Sequence, residues 1–73
     1  MHELVRRAFE EVPHRLLHKR VRDIASGAEG ELMAVLRQDV SDTPAREHWV
    51  ELAYVRLPSG REVSTAVANV EAV

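Results

Sequence analysis

His14 and His18 stand four residues apart, a spacing that on one face of a helix could bring two imidazole nitrogens to a single metal ion. Pro13 adjoins the pair, Arg15, Lys19 and Arg20 surround it with positive charge, and no carboxylate falls nearby to complete a ligand set. A solvated basic segment is expected, with no metal. Gly27-Ala28-Glu29-Gly30 matches the GxxG spacing of loops that clamp a nucleic-acid backbone. Glu29 inside that loop and Glu31 beside it would oppose phosphate, so the pattern reads as a structural turn. The four serines lack an activating partner; Ser59 sits in a Pro-Ser-Gly turn and nothing resembles a nucleophile elbow. The chain has no cysteine, which removes disulfides and thiolate ligation and leaves nothing that argues for an oxidising compartment. These residues imply no enzyme activity, no cofactor and no small-molecule substrate.

What remains is recognition. Trp49 and Tyr54 fall on opposite faces of one candidate strand, and Arg56 shares a face with Tyr54, so an aromatic framed by a guanidinium could line a groove for a protein partner. The segment HRLLHKRVR offers Arg15, Lys19, Arg20 and Arg22 as candidate phosphate contacts. Charge is uneven along the chain. Residues 1–22 hold six Lys/Arg against three acids, a balance of +3, whereas residues 23–73 hold four against nine, a balance of −5. Only the first third could grip a polyanion, and the rest would repel one.

Three kinds of element must position these groups. Leu4, Val5, Ala8, Phe9 and Val12 form one apolar stripe at helical spacing, which predicts an amphipathic helix over 2–12 ended by Pro13. HWVELAYVRL, then Pro58-Ser59-Gly60, then EVSTAV predicts a β-hairpin. On its first strand Trp49, Ala53, Val55 and Leu57 share one face and Val50, Leu52 and Tyr54 the other, so both faces want cover. The run DVSDTPAR between them reads as a mobile loop. The middle is ambiguous. GELMAVLRQ consists of good helix formers, Leu32, Val35 and Leu36 fall at i, i+3 and i+4, and Ser26 with Glu29 fits a capping box. Three helices and a hairpin would make a winged helix-turn-helix. Against it, Gly30 would lie in the first turn of that helix at a cost of about 1 kcal/mol, and Gly27 with Gly30 suits a tight positive-φ turn between two strands.

At 73 residues the chain is a single domain, 1–73, whose core supplies only a few kcal/mol of net stability. Its N-terminus has no apolar h-region and its longest apolar run, Leu32 to Leu36, is too short to span a bilayer, so a cytoplasmic, non-membrane protein is expected.

The order V-x-D-x-A-x-x-x-x-G-x-L-x-A-V, a polar loop, Arg-Leu-Pro, G-R-E-x-S-T-A and N-V-E resembles short actinobacterial proteins of unassigned function. The matching residues are Val21, Asp23, Ala25, Gly30, Leu32, Ala34 and Val35, then Arg56, Leu57, Pro58, Gly60, Arg61, Glu62, Ser64, Thr65, Ala66, Asn69, Val70 and Glu71. That resemblance, with a KOW-like stretch at Val21 to Val35, implies a small SH3-like β-barrel and no particular activity. The pattern's glycine ahead of the first strand is absent near His18, and Val63 stands where a tryptophan is expected. The combined expectation is a mainly β protein, an SH3-like barrel of about five strands over 17–73 with one N-terminal helix. It would act as a non-enzymatic binding or accessory module through protein contact or self-association. A homodimer through Leu4, Val5 and Phe9 follows if the barrel covers that stripe only in part. The alternative is a KOW-like or winged-helix nucleic-acid binder using Arg15, Lys19, Arg20 and Arg22.

Overall fold

The computed structural model describes residues 9–41 and 48–73. Six strands form one antiparallel sheet: β1 (Phe9–Glu11), β2 (Arg20–Asp23), β3 (Glu29–Asp39), β4 (Trp49–Arg56), β5 (Glu62–Ala66) and β6 (Val70–Ala72), with a 3₁₀ helix (Val67–Asn69) before the last. Their hydrogen-bonded order is β5-β4-β3-β2-β6, and β1 also pairs with β3. Mainly β architecture is thus as the sequence implies. The sheet does not close, however: β5 and β6 are the two ends of its order and are not paired with each other.

The middle segment is strand, which removes the winged-helix alternative. β3 runs for 11 residues, and its helix-like spacing has a specific cause. The register against β4 shifts between Leu32 and Ala34, so Met33 is an extra, bulged residue. A bulge reverses the inward-outward alternation, and Leu32 and Val35 therefore both point into the core although they are three apart. Helical propensity, a matter of tenths of a kcal/mol per residue, is outweighed by two flanking ladders.

Gly27 and Gly30 divide the work differently from the expected turn. Gly27 has φ +80 in the β2–β3 connection, whereas Gly30 lies within β3, opposite Val21. A side chain at Gly30 would collide with the backbone carbonyl of Arg56 on β4. That glycine is there for close approach, not for φ.

The expected N-terminal helix is corrected where it can be seen. Phe9–Glu11, its last turn, is instead strand β1, with Phe9, Glu10 and Glu11 opposite Gln38, Arg37 and Leu36. An isolated helix this short is marginal in water, and pairing with the open edge of β3 satisfies the same backbone groups. Leu4 and Val5 lie outside the described residues, as does most of the expected loop, 42–47.

The core is Leu16, Val21, Leu32, Val35, Ala53 and Val55, with Val12, Leu17, Leu57, Val63, Val67 and Val70 packed around it. One polar knot joins three elements. Asp23, 6 % exposed at the end of β2, accepts hydrogen bonds from Ser26 Oγ (2.7 Å) and, across the sheet, from Thr65 Oγ1 on β5 (2.8 Å). Asn69 Nδ2 donates to Thr65 Oγ1 (3.2 Å), and the Ile24 amide donates to the Asn69 carbonyl (2.9 Å). The serine expected to cap a helix instead donates to Asp23. Among the described residues no helix is long and apolar enough to cross a membrane.

Candidate functional site

Cross-strand neighbours share a face of the sheet, so the register assigns each side chain to one side. On the side away from the core, Phe9 stands beside Gln38 and Gln38 beside Val50; Glu11 stands beside Leu36 and Leu36 beside Leu52; Ala34 stands beside Tyr54. Val40, whose amide donates to the His48 carbonyl, continues that side by one more pair. The result is an apolar area of Phe9, Leu36, Val40, Val50, Leu52 and Tyr54 spread over three strands. Phe9 and Val40 are 45 % and 47 % exposed. The Tyr54 hydroxyl donates to Gln38 Oε1, which fixes the ring within this surface.

Tyr54 and Phe9, both candidates from sequence, therefore belong to one surface. Arg56 is on the same side, where its guanidinium pairs with Glu62 of β5 at 3.0 Å. Trp49 is on the opposite side, with the Arg37 guanidinium 4.9 Å from its ring centre. Arg37 also reaches Glu10 at 3.6 Å and stands opposite Glu51. The face shared by Val50, Leu52 and Tyr54 is the one the sequence implies, whereas Leu36 and Val40 were missed, because the face they occupy depends on the bulge at Met33.

The basic candidates divide. Arg20 donates to Glu29 (3.1 Å), and Arg22 reaches Glu29 (3.3 Å) and Glu71 (3.4 Å). The hydrogen bond from Arg20, with Arg22 adding to it, holds the Glu29 carboxyl below its usual range. Arg15 and Lys19 are exposed and make no ion pair among the described residues. Of the four candidate phosphate contacts, Arg20 and Arg22 are thus ion-paired. Glu29, from the GxxG pattern, is the centre of this charge cluster and lies in β3.

His14 and His18 do not lie on a helix. The His14 Nδ1 accepts the Leu16 amide at 3.1 Å, and His18 Nδ1 lies 3.6 Å from Glu31. Among the described residues no three His, Asp or Glu side chains gather to hold a metal. His18 has φ +67, the left-handed region that favours glycine, at the point ahead of β2 where the resemblance would place one. Replacing it by glycine is expected to raise stability by about 0.5–1 kcal/mol, or about 4–8 °C per kcal/mol in Tm. A thermal melt in which His18→Gly is less stable than the parent would show that this backbone is not strained.

Ser59 Oγ accepts the Arg61 amide (3.3 Å) within the β4–β5 turn, a structural role. No known protein family matches the chain, and no curated protein or solved structure is significantly similar to it.

Proposed function

We propose that the chain is an open SH3-like small barrel that serves as a non-enzymatic binding module, acting by protein contact or by self-association. The fold reading is supported by the strand order, in which β6 returns after a 3₁₀ helix to lie beside β2. It is supported too by the residues that carry the resemblance: Val21, Leu32 and Val35 are core, and Asp23, Thr65 and Asn69 form the polar knot.

The observation that carries the functional reading is the apolar outer side of β1, β3 and β4. Large apolar side chains concentrated on one side, opposite the core, are the form an interaction surface takes. An aromatic such as Phe9, standing proud of it, is the expected anchor. The nucleic-acid reading is weaker because Glu29 and Glu71 offset Arg20 and Arg22.

Two titrations test this. Sedimentation over a concentration series reads self-association, and fluorescence anisotropy with labelled duplex DNA at rising salt reads the alternative. Concentration-dependent mass that Phe9→Glu abolishes, with the melt unchanged, supports a second copy as partner. A monomer whose partner protein is retained by the parent and lost with Phe9→Glu supports a different protein. DNA binding that falls steeply with salt and ignores Phe9→Glu overturns the reading.

A further inference from the structure

On one edge β3 is flanked by two different strands, β1 and β2, and among the described residues neither pairs with Met33 or Ala34. β1 serves it down to Leu36, and the Val12 amide then donates to the Val35 carbonyl (2.8 Å). β2 takes over at Glu31, preceded by the His18 amide on the Leu32 carbonyl (2.7 Å) and the Leu32 amide on the Lys19 carbonyl (3.0 Å). Met33 and Ala34 lie in the gap. A recess of about 190 Å³ opens there, with Val12, Leu17 and Met33 in its lining and Glu11 and His18 as its polar members.

Three observations meet at this recess. The bulge in the β3–β4 pairing falls at Met33, which also lines the recess. His18 holds a left-handed backbone beside it, and backbone strain in a non-glycine residue concentrates at working sites. Glu11 lines the recess and makes no ion pair among the described residues, whereas His18 has Glu31 and the neighbouring Arg20 and Arg22 have Glu29. The unpaired cations Arg15 and Lys19 are on the same connection but do not line it.

We propose that the recess is a binding site for one aliphatic side chain, of leucine or methionine size, carried by a peptide with a basic residue beside it. Size selects the occupant. Pockets for drug-sized ligands and cofactors measure about 300–1,000 Å³, whereas an apolar cavity of about 150 Å³ accepts a single benzene. The lining is the wrong chemistry for a phosphate or carboxylate, and Glu11 supplies the complement to a cation at the edge. Phe9, Val50, Leu52 and Tyr54 do not line the recess, although Glu11 and Ala34, the cross-strand neighbours of Leu36 and Tyr54, do, so the two readings are told apart by which side chains respond.

The test is methyl NMR of the full chain titrated with three terminally blocked dipeptides, Leu-Lys, Ala-Lys and Leu-Glu. Leu-Lys is expected to shift the Met33, Val12 and Leu17 methyl signals saturably. Ala-Lys should bind at least about tenfold more weakly for want of the side chain that fills the recess. Leu-Glu should bind about threefold more weakly, and Glu11→Gln, an exposed change with an unaltered spectrum elsewhere, should erase the Lys-over-Glu preference. Equal shifts from Ala-Lys and Leu-Lys, no saturable shift at all, or shifts confined to Leu36, Val50 and Leu52 on the outer side each overturn the proposal.

Discussion

Replacing Gly30 by alanine is expected to cost about 3 kcal/mol or more, near the upper end for overpacking, because the obstacle is main chain and cannot rotate away. The added methyl would meet the Arg56 carbonyl oxygen inside contact distance, its carbonyl carbon at 2.8 Å and Val55 Cγ1 at 3.1 Å. A domain of this length has a total stability of roughly 4–11 kcal/mol, so the variant should lose a large part of it. Gly27→Ala is the control. Its φ of +80 makes a side chain strained, yet nothing lies within 4 Å of where that side chain would go, so the cost there should be only about 1–2 kcal/mol. Urea denaturation of the two variants compares them directly. Equal losses would mean that β3 and β4 are not as close at Gly30 as described.

The second large effect is acid sensitivity through Asp23. Hydrogen bonds from Ser26 Oγ, and next from Thr65 Oγ1, hold its carboxyl below the ordinary value of 3.8. A carboxylate shifted in that direction contributes its stability in full above the unfolded value and loses it as pH falls through the folded one. Stability from this group should therefore be level from neutrality down to about pH 5, and decline below about pH 4. Glu29, lowered chiefly by Arg20, and Asp39, lowered chiefly by the Ser41 amide, add in the same direction. Asp23→Asn should be less stable at neutral pH and lose stability more gently in acid, the remaining slope belonging to Glu29 and Asp39. Thr65→Val keeps the shape but removes a donor to a charged acceptor, and should cost about 1.5–3 kcal/mol at pH 7. Denaturation midpoints measured across the acid range decide this, and an Asp23→Asn slope equal to the parent's would relieve Asp23 of the role.

Asp23 also shows where the sequence is and is not informative. Asp23, Thr65 and Asn69 are each visible in the chain as polar residues, but a partnership across 42 positions is set by the sheet and not by spacing. The hairpin of β4 and β5 is legible because its signals are local: β-branched residues, then Pro58-Ser59-Gly60, with the inward placement of Ala53 and Val55 following from alternation. β3 is half legible, since the bulge at Met33 gives Leu32 and Val35 a helical spacing while both remain in a strand. Phe9 was assigned to a helix for the same kind of reason. Its apolar neighbours at helical intervals say nothing about an open β3 edge waiting for Phe9–Glu11. Of the candidate binding surface, Phe9 and Tyr54 were visible as residues, and the fact that they share a side was not. Arg20 and Arg22 looked like phosphate ligands because Glu71, 49 positions after Arg22, cannot be seen beside it in the chain.

That same separation governs the order in which the protein can assemble. β3 with β4, and β4 with β5, are antiparallel neighbours in the chain, and their pairings close short loops. The ladder of β2 with β6 joins Val21, Arg22 and Asp23 to Ala72, Glu71 and Val70, and must draw together nearly the whole described chain before it returns any free energy. Contacts of such long sequence separation are the slow ones in small β proteins. The three central strands can therefore exist as a meander while β2 still lacks its outer neighbour and Asp23 its threonine. Acquisition of β6 is the step at which the core, the knot and the Arg22–Glu71 pair become complete together.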